Sequence, residues 1–218
     1  TNYLYCSNFW GFIINIYYME IFGSVLIALI TALLGPIAIL WVKKKLTKPK
    51  DEIEIELVST EKITTEIEEV LKKLDADRVW ITQFHNGGHF LHSNKSMQKF
   101  SVVYEVDAAG TSPVSTIFTN IPISLYSRFF SEIMNSKFIA ITNYEDETIA
   151  TYGLKPGAEA TGAKSSYIVG LFDFGTGKLI GSIGLDYLDP KKLNNNQIEY
   201  FKIRSERVAG YLSSNKQN

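Results

Sequence analysis

The chain has 218 residues, of which 45% are hydrophobic and 21% charged, and this ordinary composition excludes a disordered or low-complexity chain. Residues 51–218 contain 17 basic and 22 acidic side chains, and the resulting net charge of −5 argues against a nucleic-acid-binding surface. The single cysteine, Cys6, precedes this region, which excludes a disulfide framework, a cysteine-ligated metal site and a cysteine nucleophile within it.

A membrane anchor is predicted near the N-terminus. Residues 21–42 are an uncharged, apolar run of 22 residues. As a helix, such a run spans about 33 Å, close to the thickness of the hydrocarbon core of a bilayer. Five lysines follow within 43–50, whereas Glu20 precedes the run, so the positive-inside rule places the rest of the chain in the cytoplasm. We therefore predict a single-pass protein with a transmembrane helix at 19–42; a buried core helix is the less favoured alternative.

The segments on either side of this helix have separate interpretations. Residues 1–18 contain neither a charge nor an initiating methionine. They are either non-native upstream sequence, with Met19 as the natural start, or an extracytoplasmic leader; we favour the first. Residues 43–58 are predicted to be a juxtamembrane linker, basic and then acidic, in which the alternation of 51–58 is also compatible with a strand.

The remaining residues, 59–218, are predicted to form one cytoplasmic domain. Apolar residues recur at helical spacing over 60–74 and 195–213, and Asn194 or Asn195 would cap the second helix. The elements predicted between these helices are strands at 79–84, 100–107 and 138–144, a turn at 85–88, a helix at 123–136, a loop at 145–163 and a hairpin around 175–178. This order predicts an α+β fold, an antiparallel sheet with flanking N- and C-terminal helices.

Three stretches of the domain carry a resemblance to GAF domains, the small-molecule sensor fold related to PAS. DADRVWITQFH is similar to the first GAF strand, GLFDFGTGKLIGSIGLDYLD to the last hairpin, and NQIEYFKIRSERVAGYL to the closing helix. The resemblance implies a non-catalytic sensing or scaffolding fold. The Asn-Lys…Phe…Asp-Glu signature of cyclic-nucleotide-binding members is absent, and so is the cysteine that holds a bilin in phytochrome-like members. The cofactor, if any, is therefore unknown.

The best candidate for ligand contact is the segment that follows the first strand. In a GAF-like fold it would border the ligand cavity, where a histidine and an asparagine offer donors and acceptors and two glycines allow close approach. The candidate ligand-binding residues are Phe84, His85, Asn86, Gly87, Gly88, Tyr104 and Glu105. Strand alternation puts Val103 and Glu105 on one face, opposite Val102, which favours solvent for Glu105. Asp173 and Asp186 are likewise predicted to face solvent.

A metal site is a second candidate in the same segment. All three histidines, His85, His89 and His92, lie within HNGGHFLH, and three imidazoles this close can bind zinc or another transition metal. The spacing of four and then three residues would put the histidines on one face of a helix, but the glycines between them disfavour a helix. No acidic residue within the segment completes a set of metal ligands. A polar turn is the alternative. No nucleophile elbow, P-loop or dinucleotide motif indicates an enzyme.

The sequence thus predicts a membrane-anchored, non-catalytic GAF-like sensor or protein-interaction module. A small molecule or a partner would bind near 84–90 and the loop 145–163, and the helices at 60–74 and 195–213 would transmit the response, with homodimerisation as a further expectation. Two alternatives stay open. One is a structural membrane scaffold whose pocket is filled by Phe and Tyr side chains, and the other is a metal-dependent enzyme that uses the three histidines.

Overall fold

The computed structural model describes residues 19, 22–37, 39–40, 52–89 and 96–214. It divides the chain into two compact units, of which the first ends at Asp51 and the second starts at Glu52. The predicted leader, the lysine run and His92 lie outside the described residues.

In the first unit, residues 22–37 and 39–40 are helical, and their large apolar side chains are exposed, as in Phe22 at 70% and Leu33 at 67%. Within the described ranges, no helix has both the length and the apolar character needed to cross a membrane. The anchor over 19–42 therefore stays a prediction.

The second unit is built from helices and strands with these bounds: α1 (Glu52–Leu74), β1 (Arg78–His89), β2 (Ser96–Asp107), β3 (Ile121–Pro122), a 3-10 helix (Ile123–Tyr126), α2 (Ser127–Ser136), β4 (Phe138–Ile141), α3 (Lys155–Thr161), β5 (Ser165–Phe172), β6 (Leu179–Tyr187) and α4 (Asn195–Ser214). The strands form one six-stranded antiparallel sheet in the order β3-β2-β1-β6-β5-β4. This architecture confirms the predicted α+β fold with helices at both ends, and the β5–β6 hairpin lies where it was expected.

One face of the sheet packs on the two long helices. Successive strand residues point to opposite faces, so Val79 of β1 and Ile183 of β6 face this core. They meet Ile67 of α1 and Phe201 of α4, and all four side chains are buried. The helical spacing of the apolar residues in α1 and α4 is thus explained by a shared apolar core.

The opposite face lies under a second layer, which we call the cover and define as residues 108–120, 123–136 and 142–163. Here Phe100 of β2 packs on Phe130 of α2, with ring centroids 5.2 Å apart at a steep angle. Further along this face, β6 carries the small residues Ser182 and Gly184. This face is therefore less completely filled than the helical one, and it positions the site described below.

Three predicted elements differ from the structure. Residues 52–58, part of the predicted juxtamembrane linker and also compatible with a strand, are instead the first turns of α1. The turn predicted at 85–88 is wrong, since β1 continues to His89 and pairs with β2 across a register shift at which Gly88 has φ +95°. The predicted loop 145–163 contains α3, whose Pro156 lies in the first turn, where a missing N–H costs nothing.

Candidate ligand-binding site

A cavity of about 70 Å³ lies between the cover and the sheet. Six aromatic side chains contribute to its lining: Trp80, Phe100, Phe118, Tyr126, Phe129 and Tyr144. Its polar lining comes mainly from the sheet: Thr82, Ser166, Ser182 and Asp186, with Thr161 from α3. The cavity is thus an apolar, aromatic space with a polar floor, the usual composition of a small-molecule site.

The floor of the cavity exists because β6 alternates between large and small residues. Ile183 and Leu185 fill the helical core, whereas Ser182 and Gly184 face the cover. A Cβ atom on Gly184 would lie 2.2 Å from Cζ2 of Trp80, so only glycine leaves room for the indole ring at this position. In this position the indole N–H donates a hydrogen bond to Asp186.

Asp186 is the charged group of the floor. Its Oδ1 accepts a hydrogen bond of 2.6 Å from the Ser166 hydroxyl, and its Oδ2 accepts one of 2.9 Å from Trp80 Nε1. Arg78 Nη1 donates to the same Oδ2 at 3.3 Å. Burial raises the pKa of Asp186, against the opposing effects of Ser166 and Arg78. Burial, and then the charge of Asp186, raise the pKa of Tyr144.

Behind the floor, one guanidinium is shared by three carboxylates. Arg78 is 1% exposed, and its Nε lies 3.3 Å from Asp107 and 3.5 Å from Glu105, in addition to the contact with Asp186. Its shortest hydrogen bond, 2.6 Å, is donated by Nη2 to the Ser112 carbonyl in the cover. Burial, and then the charge of Glu105, raise the pKa of Asp107.

Glu105 does not face solvent as predicted. A register shift between β1 and β2 inserts Val103 as an extra residue, so that Glu105 pairs with Trp80 on the cavity face. Its carboxylate accepts hydrogen bonds from the backbone N–H groups of Val114 and Ser115, at 2.6 and 2.9 Å. It therefore ties the cover to the sheet, and single-strand alternation could not show this.

The solvent-facing predictions for the two hairpin aspartates are also wrong. Asp186 is buried in the floor, as described above. Asp173 is buried as well, and its Oδ1 accepts hydrogen bonds from the backbone N–H groups of Gly175 and Thr176. It is therefore a turn-forming residue, and Asp commonly serves this role next to glycine.

None of the seven predicted ligand-binding residues lines the cavity. Phe84 packs on Phe130 in the core beside it, while His85 Nε2 and Ser101 Oγ form a hydrogen bond of 2.9 Å. Asn86 accepts a hydrogen bond from Gln98, and Tyr104 packs against the helical core. Their role in binding stays a prediction. The predicted loop 145–163, by contrast, does supply part of the lining, through Leu154 and α3.

The predicted histidine metal site is only partly within the described residues. His85 and His89 lie in β1, whereas His92 is not described. Among the described residues, no group of three His, Cys, Asp or Glu side chains could hold a metal ion. The three-histidine site stays a prediction.

No known protein family and no curated protein matches the sequence. Among solved structures, a far-red cyanobacteriochrome photoreceptor superposes with a TM-score of 0.58 at 11% identity, covering 86% of this chain and 100% of that one. The blue-light absorbing form of the PixJ GAF domain of Thermosynechococcus elongatus gives 0.57 at 15%, covering 76% and 89%. A phycoerythrobilin-bound GAF domain from a cyanobacterial phytochrome gives 0.51 at 15%, covering 77% and 97%. The second unit has a GAF fold. At these identities the likeness concerns the fold alone.

The residues of the cavity that the sequence analysis did not identify are those of the floor, above all Asp186, Ser166 and Trp80. A usable signal was present in β6, where Ser182, Gly184 and Asp186 alternate with large apolar residues. That pattern shows a two-faced strand. It does not distinguish a face in water from a face under a cover, because the covering residues are distant in the chain.

Proposed function

We propose that this chain is a membrane-anchored, non-catalytic sensor whose GAF domain binds a small molecule in the cavity under the cover. The observation that carries the proposal is the cavity itself, which combines aromatic walls with a buried, hydrogen-bonded carboxylate. Burying a carboxylate is costly and contributes little to folding when an apolar residue could take its place. A structural scaffold without a ligand would gain nothing from a carboxylate buried at the edge of a cavity.

The size of the cavity limits the ligand. Pockets that hold drug-sized molecules have volumes of about 300–1,000 Å³, and this cavity has about 70 Å³. The sole cysteine, Cys6, lies outside the GAF domain. A bilin, such as the one in the phycoerythrobilin-bound neighbour, is too large for this cavity and would find no cysteine beside it. The proposed ligand is a compact molecule with few non-hydrogen atoms.

The output of the sensor would run through the two long helices. Arg204 of α4 donates a hydrogen bond of 2.6 Å to Glu66 of α1 and also pairs with Glu69, so the two helices are joined by charge as well as by apolar packing. Leu57 and Val58, in the N-terminal turns of α1, are exposed. We propose that a second copy of the chain packs on these turns in a homodimer, and that ligand binding alters this pairing.

The membrane anchor and the cytoplasmic location belong to the proposal as well. The support for them is the uncharged run 21–42, the lysines at 43–50 and the exposed apolar side chains on the helical residues 22–37.

The test is to identify what the purified protein carries. The full chain, purified in a non-ionic detergent, would be denatured and its released small molecules identified by mass spectrometry. In Ala158→Leu, three added carbon atoms enter the cavity from α3, whereas Ala160→Leu adds the same atoms to the exposed side of that helix. We expect one compound from the wild type and from Ala160→Leu, and little from Ala158→Leu.

Two results would contradict the proposal: equal loading of both variants, or no compound from any preparation together with no ligand-induced change in thermal stability. Metal analysis of the same samples tests the alternative enzyme that uses three histidines. Stoichiometric zinc that is lost on His85→Ala would favour that alternative. Circular dichroism of each variant checks that overpacking, which costs about 1–3 kcal/mol, has not unfolded the domain.

A further inference from the structure

We infer that the cavity selects a small organic cation, such as an alkylammonium ion. The inference rests on the proposed function, since it names the ligand class of the same site. Two features that meet in this space carry it. Six of the eighteen lining residues are aromatic, and among the described residues the one charged side chain in the lining is the carboxylate of Asp186.

The aromatic wall suits a cation because the face of an aromatic ring carries partial negative charge. Tyr126 stands at a steep angle to both Phe100 and Phe118, with ring centroids 5.4 and 6.2 Å away. Trp80, the ring type that binds cations best, lines the same cavity from β1. Rings at steep angles around a small space can surround a compact cation on several sides, whereas a stacked pair would contact it on one.

The carboxylate of Asp186 is incompletely neutralised. Its contact with Arg78 is 3.3 Å long and involves one guanidinium nitrogen, whereas strong charge-assisted hydrogen bonds are about 2.7–2.9 Å and often bidentate. Arg78 also lies within 3.5 Å of Glu105 and Asp107. One positive charge therefore faces three carboxylates, and a second cation in the cavity would find an attractive field.

Asp186 also retains capacity to accept a hydrogen bond. Its three donors are Ser166, Trp80 and Arg78, and an ionised carboxylate has about four acceptor positions. An ammonium N–H group can use the remaining position while its alkyl groups contact the rings. A neutral molecule of the same shape would gain the apolar contacts but not the charge interaction, so the site would discriminate by charge.

The experiment uses two probes of the same shape, tert-butylammonium chloride and tert-butanol, at constant ionic strength. Trp80 is the reporter, and substituting Trp10 and Trp41 with Phe in the full chain leaves it as the sole tryptophan. We expect a saturable change in Trp80 fluorescence at a concentration about tenfold or more lower for the ammonium ion than for the alcohol. Sodium chloride should produce no such change.

Three variants assign the preference to its source. Asp186→Asn should bring together the concentrations at which the two probes give half of their maximal fluorescence change. The control is Asp189→Asn, the same change on an exposed residue just after β6, and it should leave the preference for the ammonium ion intact. Phe118→Leu keeps an apolar wall but removes a ring, so it should weaken binding of the ammonium ion and leave the alcohol unchanged. This variant keeps the test decisive if Asp186→Asn fails to fold.

Equal midpoints for the two probes in the wild type would overturn the inference and leave the proposed small-molecule sensor standing. The same conclusion would follow if the protein gave no response to the ammonium ion and released a neutral compound on denaturation. If neither probe binds and no compound is released, the proposed function fails together with the inference.

Discussion

Arg78 is the residue on which the buried charges of the second unit depend. It is the first residue of β1, it is 1% exposed, and it contacts a carboxylate from β6 and two from β2. Its bond to the Ser112 carbonyl also attaches the cover to the sheet. Because arginine is mostly exposed in folded proteins, an arginine at the start of a strand would ordinarily be expected to face solvent.

Replacing Arg78 with Met should therefore destabilise the domain strongly. Methionine keeps most of the apolar volume but leaves buried carboxylates without a cation, and breaking a buried ion pair in this way costs about 3–5 kcal/mol. Urea unfolding of the two proteins would measure the difference. The control is Arg128→Met on the exposed side of α2, which should change stability by less than about 0.5 kcal/mol. A similar small change for Arg78→Met would mean that the cluster is solvated.

Asp186 should make stability fall as the pH rises. Burial raises its pKa above the ordinary value of 3.8. Between pH 3.8 and the folded pKa, the folded state therefore binds more protons than the unfolded state. The stability that Asp186 contributes is then full below pH 3.8 and is lost progressively up to its folded pKa, with a slope of at most about 1.4 kcal/mol per pH unit.

The measurement is the difference in unfolding free energy between the wild type and Asp186→Asn from pH 4 to 8. The wild type should lose stability relative to the variant as the pH rises. The opposite trend would show that Arg78 and the hydrogen bonds outweigh burial and lower the pKa of this carboxyl.

At the scale of elements, the start of α4 is set by hydrogen bonds between residues close in sequence. Asn194 Oδ1 accepts a hydrogen bond from the backbone N–H of Gln197, and the Gln197 side chain accepts one from the Asn194 N–H, both at 3.0 Å. This reciprocal pair is a capping box, and it confirms Asn194 as one of the two predicted caps.

Asn194→Ala should consequently destabilise the domain by about 1 kcal/mol, because an N–H group in the first turn of α4 loses its partner. Asn196→Ala, two residues further on and also exposed, is the control and should be neutral or slightly stabilising, since alanine favours a helix. Thermal unfolding would compare the two. Equal effects would show that the cap contributes nothing beyond helix propensity.

At the scale of the whole molecule, the proposed anchor determines where the sensor would act. Leu29→Arg with Leu33→Arg places two charges in the middle of the apolar run, at a cost of about 2.5–3.5 kcal/mol each for membrane insertion. We expect the wild type to remain in the membrane pellet after alkaline carbonate extraction and the double variant to leave it. Leu125→Arg with Met134→Arg, on exposed positions of the second unit, should behave as the wild type does. Extraction of the wild type would contradict the anchor.

The sequence by itself determined those features that depend on neighbouring residues. Periodicity located α4 and the part of α1 from residue 60 onward, and residue type indicated the cap at Asn194 or Asn195 and the β5–β6 hairpin, because each is decided by spacing or turn chemistry within a few residues. The order of these elements was enough to indicate an antiparallel sheet with helices at both ends, and the GAF resemblance agreed with it.

Only the tertiary structure decided what the second face of the sheet does. Arg78 and Asp186 are 108 residues apart in sequence and 3.3 Å apart in space. The extra residue in β2 that puts Glu105 on the cover side of the sheet depends on pairing with β1, and neither strand shows it alone. Ser182, Gly184 and Asp186 alternate as they would on a solvent-facing strand. They form the floor of a cavity because the cover, from other parts of the chain, removes them from water.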